Sequence, residues 1–377
     1  MRRLALRLLL RLSLTVLLPR KSGGGIVDIQ FGSNVTAKVE SKAAVATWGS
    51  QSLYIYGFPR TKNAESAVVP DYANPYINNV KASAPSDGTT GPINVYDASK
   101  AENTPYYYQG TTTYDFFGYY VQDAYANAGP DTDPAPTISA ENDAYNLDIV
   151  IDGTQDVMIA KADVASAVAN ADPSNLGDDW NDGYAFSAYA ARRGVHPILK
   201  FEHLLTQLSF LVESGTDFTE SDPNQLYVKD IAVKAVPNTA ALCVAGAATG
   251  LTVNTEATED LKVKKDDDTA LEAVVVPTKG VEAVAVGQSI MLFPSESFVI
   301  DFTVARGSAD SDVTETISKE ISHTSITTDG QTKFAAGYSY KITFKVYGLE
   351  DIEINAELTD WVDGGAISID TDEKPEI

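Results

Sequence analysis

Val27-Asp-Ile-Gln-Phe-Gly-Ser-Asn-Val-Thr-Ala-Lys-Val39 decides the fold class. Its odd positions read Val27, Ile29, Phe31, Ser33, Val35, Ala37 and Val39, and its even positions read Asp28, Gln30, Gly32, Asn34, Thr36 and Lys38. Six of the seven odd positions are apolar and none of the even ones is. Period two is the signature of a strand with one buried and one wet face. At 13 residues the segment is longer than the usual strand of about 3–10.

The same pattern recurs further on. Tyr338, Tyr340, Ile342, Phe344 and Val346 alternate with polar residues, and Phe298, Ile300, Phe302 and Val304 alternate with Val299, Asp301 and Thr303. Leu53–Tyr56, Leu147–Ile151, Tyr227–Val236 and Ile352–Leu358 read as further strands. Turn formers such as Asp152-Gly153, Asp222-Pro-Asn224 and Asp329-Gly330 separate them. Two stretches read as short helices, Thr113–Ala126 and Asp163–Asn170, with Asp163 as the N-cap of the second. Many strands and few helices predict sheets packed on sheets.

Length and charge narrow the function. A chain of 377 residues accommodates two or three domains at roughly 150 residues each. The break is expected near Arg192-Arg193-Gly194, where a loop-rich stretch gives way to denser strands. The formal net charge is −24, and it is uneven. Residues 1–22 carry Arg2, Arg3, Arg7, Arg11, Arg20 and Lys21 and no acid, so the rest sets 22 basic against 52 acidic residues. So acidic a body repels phosphate backbones and anionic headgroups, and nucleic acid is not an expected partner. A basic start and an apolar run from Leu4 to Leu18 read residues 1–25 as an export signal or leader. Cys243 is the single cysteine, which excludes an intrachain disulfide and a Cys-rich zinc site, and it reads as a small buried apolar residue.

Chemistry-bearing motifs are sparse. His196, His203 and His323 are scattered, and His203, in an apolar strand, reads as a hydrogen-bonded structural histidine. No metalloprotease, nucleophile-elbow or P-loop motif occurs, so neither an enzyme nor a cofactor is expected. Asp178-Asp-Trp-Asn-Asp-Gly183 fails the calcium-loop spacing, with Trp180 third and Tyr189 twelfth, and reads as a solvated loop. Tyr106, Tyr107 and Tyr108 open a run of eight aromatics in 15 residues. They are either core filling or a platform for a glycan or a protein interface.

Several stretches, in order, resemble one family. They are Ile29-Gln-Phe31, Val39-Glu-Ser-Lys-Ala43, Trp48 and Leu53-Tyr-Ile-Tyr-Gly-Phe58 at the start, and Gln155-Asp-Val-Met-Ile-Ala160 and His196–Val212 in the middle. Phe334-Ala-Ala-Gly-Tyr-Ser-Tyr340 and Ile354–Trp361 close the series. Together they resemble the fimbrillin-like (Mfa-like) pilins and surface adhesins of Gram-negative Bacteroidales. The resemblance implies two tandem β-sandwich domains with Greek-key-like strand connections and a few short helices, here 26–195 and 196–377. It implies a non-enzymatic pilus subunit or tip adhesin of the cell surface and outer membrane. Its partners are other pilin subunits and a host protein or glycan, and a surface glycan-binding protein is the alternative.

In stalk pilins of this family a protease cuts after a basic residue in the loop that follows the first strand, and the strand is lost. The position matching that residue is Lys42, where arginine is more usual. Removing Val27, Ile29, Phe31, Val35, Ala37 and Val39 would leave apolar pockets and unpaired backbone groups, a template for an incoming strand. The same alternation equally fits a first strand that stays in place. Ile367 and Ile369, alternating with Ser368 and Asp370, are the candidate donor. Family precursors attach to the outer membrane through a lipidated cysteine after the signal. No cysteine lies there in this sequence, so the anchor is expected on the precursor.

Overall fold

In the computed structural model the described residues are 27–35, 51–63, 65–83, 90–93, 95–101, 104–129, 132–139, 143–216, 223–325, 331–349 and 352–359. The leader, Ala37, Val39, Lys42, Trp48, Trp361, Ile367 and Ile369 lie outside them. The first half forms β1 (Phe31–Val35), β2 (Ser52–Lys62), β3 (Val68–Pro70), β4 (Ile77–Ser83), β5 (Thr90–Ile93), β6 (Tyr114–Val121), β7 (Thr137–Ser139), β8 (Ala144–Val150) and β9 (Val157–Lys161). Three short helices follow, α1 (Val164–Ala169), α2 (Pro173–Leu176) and α3 (Ala188–Ala191), and then β10 (Ile198–His203). The second half adds β11 (Thr206–Ser214), β12 (Leu226–Pro237), β13 (Thr239–Ala245), β14 (Gly250–Val253), β15 (Thr258–Lys262), β16 (Val274–Val275), β17 (Val284–Ala285) and β18 (Ile290–Leu292). It ends with β19 (Ser297–Arg306), β20 (Thr314–Ser322), β21 (Ser339–Val346) and β22 (Ile352–Thr359).

Among the described residues these strands make four sheets and two hydrophobic cores. The first sheet runs β3-β2-β6-β9-β10-β1-β5, with β4 also on β2, and the second runs β14-β13-β8-β7. They meet through Tyr145 of β8, whose ring lies 4.8 Å from Tyr56 and 5.5 Å from Phe58 of β2. The third sheet is β17-β11-β21-β22, with β18 on β11, and the fourth is β15-β12-β19-β20, with β16 on β12. Phe302 of β19 stacks on Phe344 of β21 at 4.2 Å across the second core. The protein is therefore mostly β, built as sandwiches whose inward side chains follow the period-two pattern.

Two strand pairs run through both sandwiches. β10 leads directly into β11, and β12 into β13, so the hairpin β13–β14 returns from the second sandwich to the first. Val195, Leu199 and Phe201 all belong to the first core, as do Leu242 and Val244. The sequence break expected at residue 195 thus falls inside the first core, and the passage from one core to the other comes at Leu205–Leu208. At this junction Met291 N–H donates to Gly153 O (2.8 Å) and Lys264 pairs with Asp152 at 2.7 Å. Gly153 has φ +94, and a Cβ there would sit 2.5 Å from Ile290 Cγ1, so only glycine fits this close approach.

One helix reading holds and one does not. α1 starts where expected, with Asp163 Oδ2 accepting from Ser166 N–H at 2.7 Å. Thr113–Ala126 is not a helix: its centre is strand β6, flanked by β2 and β9. Nearly every β6 side chain is buried, so the alternation that marks a half-exposed strand is absent. Cys243 is half-buried on β13 rather than fully buried, with its thiol donating to Ala245 O at 3.6 Å.

Candidate functional site

The opening segment seats in the first sheet. Ile29 N–H donates to Tyr106 O (2.7 Å), and Tyr108 N–H donates to Val27 O (3.0 Å). Two residues on, β1 enters between β10 and β5. It runs parallel to β10, with Gly32 opposite Ile198 and Val35 opposite Phe201, and antiparallel to β5, with Phe31 opposite Ile93. Both its edges are therefore hydrogen-bonded. Ile29 and Phe31 are buried, Gln30 between them is exposed, and Val27 packs half-buried on the same core. The Phe31 ring meets Phe116 edge-on at 5.0 Å. The predicted alternation holds from Val27 to Phe31. The backbone of Val35 lies in β1, and its side chain lies outside the described residues.

Beside this strand is a cleft of about 640 Å³, lined among others by Gln30, Phe31, Ile93, Tyr96, Asn170 and His196. His196 Nδ1 is buried with no hydrogen-bond partner among the described residues, and burial pushes the imidazole below its ordinary pKa, opposed by nearby Asp28. Among the described residues no group of three His, Cys, Asp or Glu could hold a metal ion. No described helix is long and apolar enough to cross a membrane.

The tyrosine triplet is not a three-ring platform. Tyr106 and Tyr108 are buried in the first core, and only Tyr107 keeps a partly open side chain. The reason is the strand period: residues 106 and 108 share the face that backs β1, while 107 points away. The Tyr108 hydroxyl is buried and has no hydrogen-bond partner among the described residues. An unpaired buried hydroxyl costs about 1–3 kcal/mol. Tyr108→Phe should therefore stabilise the chain by about 1 kcal/mol. Thermal unfolding checks it: a lower midpoint for the variant would show that the hydroxyl is satisfied in solution.

Two groupings that the sequence does not announce are the Asp156–His203 pair and a cluster on the 178–193 stretch. His203 Nδ1 donates to Asp156 at 3.0 Å from Oδ1 and 2.9 Å from Oδ2, and both side chains are buried. This confirms His203 as a hydrogen-bonded histidine of the core. Trp180, Tyr184 and Tyr189 gather on the surface, with Tyr184 49% exposed. Tyr189 and Arg193 stand four apart around α3 and its cap, which brings the guanidinium 3.5 Å over the ring.

The chain belongs to the fimbrillin-like family, whose model matches residues 41–361. No curated protein matches it. Among solved structures it is similar to a candidate cell adhesion protein from Bacteroides uniformis (17% identity, 90% of this chain and 100% of that one, TM-score 0.45). One from Bacteroides ovatus is 14% identical, over 91% and 100%, with TM-score 0.46. The fimbrial anchor protein Mfa2 from Porphyromonas gingivalis is 10% identical, over 89% and 99%, with TM-score 0.31. Membership rests on the family match alone.

Proposed function

We propose that this protein is a cell-surface fimbrial subunit that assembles by strand exchange and carries out no catalysis. The observation that carries this reading is the seat of β1, paired on both edges and anchored by two buried side chains. Losing it would open a slot between β10 and β5. A partner's extended segment entering there gains backbone hydrogen bonds and buries alternate side chains. Replacing Ile29 and Phe31 alone is worth on the order of 5 kcal/mol gross, at about 1.5–3 kcal/mol per buried large side chain. A joint of this kind is durable without disulfides.

In this reading the cut falls after Lys42, and Ile367 and Ile369 supply the donor. The precursor reaches the outer membrane through a lipid anchor, and a host protein or glycan is the external partner. The two domains divide at the β10–β11 step, with β13–β14 lent back to the first.

The test is clipping. The full chain is treated with a Lys/Arg-specific protease, N-terminal sequencing locates the cut, and unboiled samples are run in SDS. Chain cut near residue 42 should give a ladder of SDS-resistant polymers, and uncut chain none. Truncation ahead of Ile367 should abolish the ladder without preventing the cut. A clipped chain that stays monomeric defeats the proposal.

A further inference from the structure

The stretch between α2 and the end of α3 is a loop that the sequence holds rigidly. Asp172 caps α2, accepting from Ser174 N–H at 2.9 Å, and Gly177 turns the chain at φ +74. Asn181 Oδ1 accepts from Gly183 N–H (2.7 Å) and starts a 3-10 turn, Asp182–Tyr184. Ser187 caps α3 and donates its hydroxyl to Tyr184 O at 2.6 Å.

This frame gathers three rings at the surface. Trp180 stacks beside Tyr189 with centroids 6.4 Å apart and planes 17° apart, and Tyr184 lies 5.0 Å from Tyr189 at 58°. Carboxylates fix two of the rings. Trp180 Nε1–H donates to Asp182 Oδ1 (2.9 Å), and the Tyr189 hydroxyl donates to Asp179 Oδ2 (2.8 Å). Both carboxylates are on exposed residues, and each bonds its ring through one oxygen. Trp180 is partly exposed and rests on the first core, whereas Tyr184 stands 49% exposed.

We infer that Trp180 and Tyr184, flanked by Asp179 and Asp182, form a binding site for a neutral hexopyranose ring of a glycan. A sugar ring has one flat face of C–H groups and a rim of hydroxyl donors. The first stacks on an aromatic ring. The second meets carboxylate oxygens set at the ring's border, and hydrogen bonds to an ionised acceptor are the stronger kind. Trp180, already oriented by its own hydrogen bond, loses little freedom on binding. The exposed apolar surface of the cluster is small, with Tyr184 at 49% exposure and Trp180 and Tyr189 partly covered, against roughly 800 Å² per partner in a stable protein interface, which favours a small ligand. Charge disfavours phosphate and sialic acid: Asp179 and Asp182 bond the rings and Asp178 beside them is exposed, three carboxylates against the one guanidinium of Arg193 that lies over Tyr189. The site is independent of the strand slot.

The test uses the full chain, titrated with lactose, cellotriose, mannotriose and N-acetyllactosamine, with 3′-sialyllactose as the anionic control. Binding is read by calorimetry and by indole fluorescence. At least one neutral saccharide should bind saturably with a change in indole emission. Tyr184→Ala should weaken it about tenfold, the value of one aromatic contact. Tyr184→Phe should keep it. Asp182→Asn still accepts from the indole but loses the charge, and should weaken binding several-fold at unchanged thermal stability. Failure of all four neutral saccharides to bind overturns the inference. So does undiminished binding by a folded Tyr184→Ala variant, or 3′-sialyllactose binding as tightly as the best neutral sugar.

Discussion

Alkali is expected to unfold the first sandwich before the second, in a cooperative step at about pH 11 or above. The first core buries Tyr56, Tyr108, Tyr119 and Tyr120 at 1%, 6%, 0% and 7% exposure. Burial pushes all four phenols well above their ordinary range, and it pushes Tyr72 and Tyr114 up to about 12. An unfolded tyrosine ionises near pH 10. Above that pH the unfolded chain binds fewer protons than the folded one, so stability falls as pH rises. Below pH 10 the contribution is fully present, and it is lost progressively up to the raised folded values. At pH 11 each such phenol costs about 1.4 kcal/mol, so four cost about 6 kcal/mol. A domain holds about 5–15 kcal/mol. The second core buries one tyrosine among its described residues, Tyr340. Phenolate absorbance and circular dichroism should therefore change together and steeply, while amides of β12, β19 and β21 keep their exchange protection. A gradual rise of absorbance centred on pH 10 at constant ellipticity would show that the tyrosines are open to water.

The residues that read correctly in the sequence are those with one face in the core and one in water. β19, β21 and the segment from Val27 to Phe31 announce themselves by alternation because solvent selects polar side chains at every second position. β6 does not, since it lies mid-sheet with both faces covered. A Cβ at Gly118 would sit 2.9 Å from Phe201 and another at Gly57 2.9 Å from Phe116, so neighbours pack against both residues. An apolar run without contrast carries no period, and TYDFFGYYVQDAYA passes for a helix. The sugar-binding surface was hidden for a different reason. Trp180 and Tyr189 are nine residues apart across a 3-10 turn, and their stacking depends on caps at Asn181 and Ser187. The same six residues from Asp178 to Gly183, read linearly, look only like a failed calcium loop. Tyr106 and Tyr108 stand out by repetition, but alternate residues of one extended segment face one way, and here that way is inward. Asp156 and His203 each lie in a stretch that resembles the family, yet 47 residues separate them and no local rule pairs them.

Asp156→Ala and His203→Ala should each destabilise the protein by about 3–5 kcal/mol, the cost of removing one member of a buried ionisable pair. Asp156 is 0% exposed and His203 6%. The carboxylate accepts, so Nδ1 carries the proton, and it lies within 3.0 Å of both oxygens. The pair stands where the chain leaves one sandwich for the other. His203 ends β10, Leu204 N–H donates to Val157 O (2.9 Å), Gly337 N–H donates to Leu205 O (2.9 Å), and β11 begins at Thr206. Loss of one member takes a short buried hydrogen bond from the other at the step where β10 gives way to β11. Asp156→Asn keeps an acceptor for Nδ1–H and should lose only about 1 kcal/mol, the difference between a charged and a neutral acceptor. The double variant should cost far less than the two alanine variants summed, because removing both partners leaves neither stranded. Denaturant unfolding of the four variants measures this coupling. If the alanine effects add, the two side chains stabilise the junction separately; if they do not, the His203–Asp156 contact is what fastens the end of β10 to the start of β9, where the chain steps from one sandwich to the other.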